Sequence, residues 1–360
     1  MADKKRHWLS RLSFGSVSAA GAILLVLGYL SVFMNPAKAW FFTLFGLLYP
    51  LVFLLTLALF VWSLLRRSRM RLLLALALLP SFFFLGRYIQ LGAAPEDRPE
   101  PGLKVISYNV GLFAHGPEGM SRLELADSVS RYLRAQKADV ICLQEFYLPS
   151  NVPTNLWFLA HFPGYHKEYY LYTGEKGSAG NVTLTRRRVL NKGKIVFDRS
   201  TNMALWTDVR FDSGTLRLYN CHFESYNISL PALVKGFTDD EVVEETGRKM
   251  SRSIRKRPRQ VNEVLDHVDT APVPSLVLGD FNDTPLSYTY FHLLRDRKDS
   301  FTQAGRGLGA THSALWPLLR IDYILYPEQL QAVSYQVDRV PYSDHYPIIA
   351  GYYETRRDSH

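Results

Sequence analysis

An acid and an amide follow a short apolar strand in the stretch 276–285, Leu-Val-Leu-Gly-Asp-Phe-Asn-Asp-Thr-Pro. Side chains two residues apart in a strand point to the same side, so Asp280 and Asn282 present a carboxylate and a carboxamide together. Gly279 leaves room for another backbone or a ligand to approach closely. The stretch is therefore a candidate for chemistry, and the competing interpretation is a strand end closed by an Asx turn.

Further polar residues stand at or near the ends of apolar strands: Asn109, Glu145, His222, Asp322, Asp344 and His345. The acids have no basic partner close by in sequence, which is the pattern that Mg²⁺ or Mn²⁺ requires of oxygen ligands. The two histidines suit general acid/base work or contact with phosphate near neutral pH. Taken singly, a strand histidine is usually a core residue, and an Asp-His pair fits a turn.

Six short blocks surround these residues in chain order: Ser-Tyr-Asn109, Leu-Gln-Glu145, Asn-Cys-His222, Gly-Asp280-Phe-Asn282, Arg-Ile-Asp322-Tyr and Ser-Asp344-His345. Together they resemble the endonuclease/exonuclease/phosphatase superfamily, over about residues 103–353. The resemblance implies a four-layered α/β sandwich and Mg²⁺-dependent cleavage of phosphoester bonds, with Mn²⁺ as the alternative ion. It does not imply a substrate.

The resemblance also implies a role for each polar residue of the metal and water sites. Glu145 would be the principal metal ligand, with Asn109 beside it. Asp344 would be the second acid of the metal site. Asp280 would orient or deprotonate the attacking water, and Asn282 would hold a phosphate oxygen.

The histidines complete the implied catalytic set. His345 would lie at the scissile phosphate, with Asp322 as the carboxylate that orients its ring. His222 stands where abasic-site endonucleases have a tyrosine, which favours the deoxyribonuclease, sphingomyelinase and phosphatase branches. The resemblance leaves open whether Asp280 or His345 serves as the base, because the two groups titrate as a coupled set. Gly111 offers no carboxylate where some nucleases have one, so the metal would be bound more weakly.

The sequence around these residues predicts many strands with a few helices between them. That order predicts two packed, mostly antiparallel sheets with helices outside them. A helix is predicted over 121–135, opened by a capping box between Ser121 and Glu124. Two more are predicted at 259–268 and near 287–294, and the polar residues 225–257 are predicted to form an excursion or lid. Strands are predicted at 104–109, 138–143, 165–172, 181–185, 193–197, 203–211, 215–223, about 276–280, 321–325 and 347–352.

The formal charge of +9 is confined to the N-terminal part of the chain. Residues 1–94 hold ten Lys and Arg and one acid, which leaves 32 basic and 32 acidic residues for 95–360. A neutral C-terminal region lacks the electrostatic footprint of a DNA-binding protein. The two cysteines, Cys142 and Cys221, exclude a disulfide framework and a cysteine-based zinc site. They are predicted to be buried free thiols.

Three apolar segments, at about 14–34, 40–65 and 72–91, approach the length of helix that crosses a bilayer core. They predict a three-helix transmembrane region over 1–91. Basic residues before the first segment and after the second place the N-terminus in the cytoplasm. The catalytic domain would then lie on the outer or periplasmic side of a plasma or inner membrane. The alternative is a signal peptide cleaved near 37–39, although its apolar stretch is longer than usual.

The remaining segments follow from composition. A Pro/Gly- and charge-rich linker is predicted at 92–102, the catalytic domain at 103–354 and a polar tail at 355–360. Thr311 and His312 precede the Asp322 strand and could line the pocket, though nothing local demands it.

The leading hypothesis is a membrane-anchored hydrolase that attacks phosphorus with a metal-positioned water and acts on a lipid or small phosphoester. The first alternative is an extracytoplasmic nuclease acting on DNA or RNA, favoured by the arginine clusters at 186–188 and 252–259. The second is a non-catalytic membrane scaffold, against which the retention of all six blocks argues. No protein partner can be inferred from the sequence.

Overall fold

The computed structural model describes residues 2–92, 100–150, 158–175, 177–211, 214–226, 240–314 and 316–355, with the side chains of 2–13 and 240–243 outside the description. The chain divides into two compact units. One is drawn from 1–86, 228–258 and 283–291, and the other from 87–227, 259–282 and 292–360. Most of the predicted linker and nearly all of the predicted tail lie outside the described residues, and the predicted domain boundaries stay predictions.

The α-helices of the described residues are α1 (Ala2–Leu30), α2 (Phe42–Leu47), α3 (Tyr49–Leu65), α4 (Met70–Leu78), α5 (Ser81–Leu85), α6 (Arg122–Ala135), α7 (Asp240–Asp269), α8 (Tyr288–Leu294) and α9 (Ser300–Ala304). The capping box of α6 is confirmed. The Ser121 hydroxyl accepts from the backbone N–H of Glu124, and the Glu124 carboxylate accepts from the backbone N–H of Ser121.

Helix α7 begins well before the predicted start at 259. The sequence prediction took residues 225–257 as an excursion because they are polar and charged. In the structure Pro258 lies inside α7. The part of the predicted excursion from 240 to 257 is therefore helical, and residues 227–239 lie outside the description.

The second and third apolar segments each divide into shorter helices. The segment at 40–65 gives α2 and the 17-residue α3, with Pro50 in the first turn of α3. The segment at 72–91 gives the 9-residue α4 and the 5-residue α5, with Pro80 at the start of α5. No helix in the described part of the chain is both long enough and apolar enough to span a membrane. The predicted transmembrane region is therefore wrong, and with it the multi-pass localisation, the cytoplasmic N-terminus and the membrane-embedded, external placement of the catalytic domain.

The first unit is held together by side-chain hydrogen bonds and ring contacts. The Tyr29 hydroxyl donates to the Ala77 carbonyl at 2.9 Å and lies 2.6 Å from the Ser81 hydroxyl. The Tyr29 ring stacks on Phe84. The Ser31 hydroxyl donates to the Leu286 carbonyl at 2.8 Å, which ties the end of α1 to the segment before α8.

The strands within the described ranges fall into two six-stranded sheets and one two-stranded sheet. In chain order they are β1 (Ile89–Gln90), β2 (Leu103–Asn109), β3 (Val140–Pro149), β4 (His166–Gly174), β5 (Gly177–Thr185), β6 (Val189–Val196), β7 (Met203–Phe211), β8 (Gly214–His222), β9 (Ser275–Asp280), β10 (Lys298–Asp299), β11 (Gly307–Leu308), β12 (Asp322–Tyr326), β13 (Leu330–Val337) and β14 (Ile348–Glu354). Sheet one has the order β13-β14-β2-β3-β5-β4, and sheet two has the order β10-β12-β9-β8-β7-β6. Strands β1 and β11 form the third sheet.

Each six-stranded sheet has one parallel pair near its centre. The pairs are β2–β3 and β8–β9, and the other pairings of both sheets are antiparallel. A parallel pair needs a long crossover, and α6 and α7 supply it. The carboxyl ends of the two strands of a parallel pair lie at the same edge of the sheet, which brings four predicted site residues to two such edges.

The two sheets pack face to face over a shared core. Val105 and Val140 of sheet one and Leu218 and Leu276 of sheet two belong to that core. The opposite face of sheet one packs on α6, where Leu133 contributes to a second core. On sheet two the hydroxyl of Tyr219 in β8 lies 2.7 Å from Nδ1 of His267 in α7. The prediction of two packed sheets flanked by helices is confirmed, with each sheet mixed.

Both cysteines lie in these strands and are buried free thiols, as predicted. Cys142 and Cys221 have no exposed surface. Burial raises the pKa of the Cys142 thiol to about 12 and also raises that of Cys221.

Candidate active site

The carboxyl ends of the two parallel pairs meet at one site. Asn109 ends β2, His222 ends β8 and Asp280 ends β9, while Glu145 lies within β3. His222 and Asp280 are register partners in sheet two. The Asn109 Nδ2 donates to Asp280 Oδ2 at 3.0 Å, so the strand ends of the two sheets are in contact.

Asn109 bridges two carboxylates. Its Nδ2 also donates to Glu145 Oε1 at 3.1 Å, and its Oδ1 accepts from the backbone N–H of Gly111 at 3.0 Å. The amide nitrogen of Asn109 therefore faces the acids. The predicted role of metal ligand would use Oδ1, which lies on the Gly111 side.

Glu145 occupies an irregular position in its strand. The β3–β5 register shifts between Leu143 and Phe146, and Glu145 has a φ of 48°. A positive φ is uncommon for a residue with a side chain and persists where the surroundings impose it. A register shift of this kind is a β-bulge, which changes the direction in which a side chain points. Here the Glu145 Oε1 lies 3.5 Å from Nε2 of His222.

Asp280 is held by its neighbours in the Gly-Asp-Phe-Asn block. The backbone N–H of Asn282 donates to Oδ1 at 2.8 Å, and the Asn282 Nδ2 donates to Oδ2 at 3.0 Å. Burial raises the pKa of Asp280 to about 6, against the charges of His345 and His222. A Cβ at Gly279 would lie 1.9 Å from the Cys221 carbonyl oxygen, so the predicted close approach of another backbone is confirmed.

His345 and Asp322 form a buried pair beside Asp280. Asp322 begins β12 and is the register partner of Asp280. Nδ1 of His345 lies 2.9 Å from Asp322 Oδ2, and its Nε2 lies 3.8 Å from Asp280 Oδ2. Burial lowers the pKa of His345, but Asp322 and Asp280 outweigh it and raise the pKa to about 10.

Asp344 lies among histidines. Its Oδ2 is 3.8 Å from Nε2 of His115 and 3.7 Å from Nε2 of His312. Burial raises the pKa of Asp344, but the charges of His345, His115 and His312 bring it below the usual value. A Cβ at Gly111 would lie 3.0 Å from Asp344 Oδ1. The space of the missing carboxylate at 111 is thus partly taken by Asp344.

The donor set fits a divalent cation. The basic partners of Glu145, Asp280, Asp322 and Asp344 within ion-pair distance are all histidines in the part of the chain that the structure describes. Carboxylates without Lys or Arg suit a hard metal ion. Among the described residues, three groups could hold an ion: Glu145, His222 and Asp280; Asp280, Asp322 and His345; and His312, Asp344 and His345. The predicted ligands Glu145 and Asp344 thus fall in different groups, and neither Mg²⁺ nor Mn²⁺ is singled out.

The sequence of residues 106–345 matches the model of the Endonuclease/Exonuclease/phosphatase family. The chain belongs to this family. Residues 11–88 match a second family, described as a domain of unknown function (DUF8431). No curated protein matches the chain.

Several solved structures are similar to this chain in fold. A protein of Beutenbergia cavernae is 21% identical, with 70% of this chain and 71% of that chain covered and a TM-score of 0.52. A protein of Bacteroides vulgatus is 19% identical, with 70% and 99% covered and a TM-score of 0.52. The human Nocturnin catalytic domain, solved with a bound sulfate anion, is 17% identical, with 71% and 94% covered and a TM-score of 0.51.

In this endonuclease/exonuclease/phosphatase domain the structure adds residues that sequence reasoning missed or left open. His115 carries no local signal and reaches Asp344 only through the fold. His312 had only its position before the Asp322 strand to suggest it. Its ring centroid lies 4.6 Å from that of His345.

A buried amide network behind the site was also missed. Gln144 Nε2 donates to Asn220 Oδ1 at 2.7 Å, and Asn220 Nδ2 donates to the carbonyls of Leu143 at 3.1 Å and Val182 at 2.9 Å. In the sequence, the only sign of this network is that Gln144 and Asn220 stand in the Leu-Gln-Glu and Asn-Cys-His blocks. The network joins the two sheets directly beneath Glu145 and His222.

Proposed function

We propose that the protein hydrolyses phosphoester bonds by attack of water, with a divalent cation bound at its carboxylates. The observation that carries this proposal is the position of Asp280 between two histidines. Its Oδ2 lies 3.7 Å from Nε2 of His222 and 3.8 Å from Nε2 of His345. Membership of a family described by its endonucleases, exonucleases and phosphatases supports the same reaction class.

Asp280 is the group that orients the attacking water and takes its proton. Three N–H donors, from Asn109 and Asn282, fix its carboxylate. Both described bonds of the Asn282 amide nitrogen go to protein oxygens, those of Asp280 and the Phe223 carbonyl. Asn282 therefore positions Asp280, and its contact with a phosphate oxygen stays a prediction.

His345 donates the proton that the leaving oxygen needs. Because its Nδ1 is bonded to Asp322, Nε2 is the nitrogen that faces the reacting groups. The water oxygen bonds to phosphorus, the bond from phosphorus to the leaving oxygen breaks, and that oxygen takes the Nε2 proton. The proton on Asp280 restores His345 across the 3.8 Å that separates them.

Glu145 would hold the cation, which when bound offsets negative charge on the phosphoryl oxygens. That Asp344 and Oδ1 of Asn109 bind the same ion stays a prediction, because Glu145 and Asp344 belong to different groups of candidate ligands. His222 lies between the carboxylates of Glu145 and Asp280 and binds a phosphoryl oxygen through Nε2.

The substrate that we propose is a small or lipid phosphoester and not a long nucleic acid. Residues 95–360 carry 32 basic and 32 acidic residues and so exert no net attraction on a polyanion. Members of both arginine clusters are paired with acids: Arg187 lies 3.4 Å from Asp139, and Arg259 lies 3.0 Å from Glu263. Charge alone supports this choice, since membrane tethering no longer does.

A panel of phosphoesters tests the proposal. The full chain is assayed on a small phosphodiester, a small phosphomonoester, a lipid phosphoester and plasmid DNA, with Mg²⁺, Mn²⁺ or EDTA. We expect metal-dependent cleavage of a small or lipid phosphoester, lowered by roughly a hundredfold or more in Asp280→Asn. Asp269→Asn, which changes an exposed carboxylate paired with Arg295, is the matched control.

Each contrary result has its own meaning. Equal rates in EDTA would exclude the metal. Cleavage of plasmid DNA faster than every other substrate would favour the nuclease alternative. No cleavage of any substrate by metal-loaded protein would favour the non-catalytic alternative.

A further inference from the structure

His312 has a ring whose tautomer is fixed by the backbone. The N–H of Ala314 donates to Nδ1 of His312 at 3.0 Å. This hydrogen bond requires a lone pair on Nδ1, so the ring proton is on Nε2. A proton on Nδ1 would place one N–H against another. The backbone therefore makes Nε2 of His312 a hydrogen-bond donor.

The backbone around this histidine is held between two segments of the active site. The Thr311 hydroxyl accepts from the backbone N–H of Asp322 at 3.1 Å, and the Thr311 carbonyl accepts from the N–H of Tyr346 at 2.6 Å. On the other side, the N–H of Ser313 donates to the Asp344 carbonyl at 2.7 Å. The Nε2–H of His312 is thus held in place relative to Asp322 and Asp344 before any substrate binds.

Nε2 of His312 faces the site without an acceptor. The nearest carboxylate oxygen recorded is Asp344 Oδ2 at 3.7 Å, which is too long for a hydrogen bond. Within the described ranges no other acceptor is recorded for it. The side chain is 17% exposed, so a ligand can reach it.

The same tautomer argues against a metal at this ring. A histidine that binds a metal through one nitrogen usually donates a hydrogen bond from the other. In His312 the other nitrogen accepts. Of the group formed by His312, Asp344 and His345, the first residue is therefore a donor to anions and not a ligand to cations.

We propose that His312 donates its Nε2–H to a non-bridging oxygen of the substrate's phosphoryl group, an inference that rests on the proposed phosphoester hydrolysis. The oxygen would lie beside the His345 ring, whose Nε2 serves the leaving oxygen. The contact makes His312 a substrate-binding residue in addition to the implied set.

Two amide substitutions test the roles of the two ring nitrogens of His312 separately. His312→Gln places an amide N–H near the position of Nε2, whereas His312→Asn keeps an acceptor near Nδ1 for the Ala314 N–H and has no donor at Nε2. We expect kcat/KM on the best phosphoester to fall roughly tenfold to a hundredfold in His312→Asn, as for a hydrogen bond to a charged group. His312→Gln should recover most of that loss. Equal losses in both variants, with unchanged thermal unfolding, would overturn the proposal.

Two measurements on the unmodified chain do not depend on turnover. ¹⁵N NMR of histidine-labelled protein should show His312 with its proton on Nε2, and a proton on Nδ1 would overturn the proposal. Titration with inorganic phosphate should give weaker binding in His312→Asn than in His312→Gln. If the wild type cleaves no phosphoester yet shows this difference, the proposed function fails and the phosphate contact stands. If it cleaves phosphoesters and the two variants match it in kcat/KM and phosphate affinity, the contact is wrong.

Discussion

At the residue scale, the bond between Asp322 and His345 decides which ring nitrogen faces Asp280. Nδ1 is engaged at 2.9 Å, which leaves Nε2 directed at the carboxylate of Asp280. A buried carboxylate behind an imidazole also favours the charged ring. In the proposed reaction Asp322 therefore acts through His345, by orienting its ring and favouring its charged form.

Replacing Asp322 by asparagine should lower kcat by on the order of a hundredfold while changing KM little, because the amide keeps the shape and loses the charge. Steady-state kinetics on the best phosphoester would measure both constants. Asp269→Asn serves again as the control for loss of a carboxylate elsewhere. An unchanged kcat in Asp322→Asn would show that the ring does not need its partner.

Sequence reasoning gathered the site residues but could not give their orientations. The blocks predicted that Asp280, His345 and Asp322 carry the chemistry, and the structure brings them into contact. It could not predict that the amide nitrogen of Asn109 faces the acids, since that follows from contacts between strands far apart in the chain. For the same reason the sequence could not predict the tautomer of His312. That tautomer depends on the backbone N–H of Ala314 and on the fold around it.

At the element scale, the bulge in β3 has a compensating partner in the other sheet. Asn220 in β8 donates to the carbonyls of Leu143 and Val182, on either side of the β3–β5 pairing next to the bulge. Gln144 donates back to Asn220. The irregular stretch that aims Glu145 is thus braced by a side chain from sheet two.

Asn220→Ala should destabilise the protein by about 3 kcal/mol or more, since it takes the Asn220 donor from two buried carbonyls, each loss costing roughly 1–3 kcal/mol, and removes the shortest hydrogen bond of the Gln144 amide. Urea unfolding followed by circular dichroism gives the free energy. Asn191→Ala is the control, because Asn191 is exposed in β6 and its loss should stay within about 0.5 kcal/mol. A loss as small for Asn220 as for Asn191 would contradict the bracing role.

Elements with strong local signals were predicted well, and those without were not. Strand β7 has the predicted bounds, and the capping box fixed the start of α6. Strand β13, in which exposed and buried residues mix irregularly, was missed. The polar and charged composition of 225–257 misled the prediction of α7, because the segment was taken for an excursion although the helix begins at Asp240.

At the scale of the whole molecule, the uncompensated acids of the site bear on stability. Glu145, Asp280, Asp322 and Asp344 repel one another in the folded state and have only histidines to offset them in the described residues. A bound divalent cation would relieve this repulsion only in the folded chain. Such linkage stabilises a protein by about 2.7 kcal/mol when the free ion is at a hundred times its dissociation constant.

Saturating Mg²⁺ or Mn²⁺ should therefore raise the melting temperature by several degrees, at roughly 2–4 °C per kcal/mol for a domain of this size, and EDTA should reverse the shift. Glu145→Gln should lose at least half of the shift. Glu244→Gln, which changes an exposed acid of α7, should keep it. A shift of the same size in all three proteins would place the ion elsewhere. Calorimetric melting in each buffer is the measurement.

The N-terminal part shows where composition misleads. Its apolar segments have the residue content of membrane spans, but span prediction counts residues and takes each segment as one helix. Pro50 and Pro80 lie at the starts of separate helices, and the second and third segments give helices of 17 residues at most. Whether an apolar run stays a single helix depends on such interruptions and on the packing around them.

The two buried cysteines make the folded chain unreactive toward thiol reagents. Only a thiolate reacts with a disulfide or maleimide reagent, and Cys142 and Cys221 have neither exposed surface nor a pKa that permits one at neutral pH. Their modification must wait until the strands around them separate, so its rate in the absence of denaturant measures how often the sandwich opens. A cysteine introduced at an exposed position would meanwhile react at once, and a dye could be attached there with the natural pair left in place.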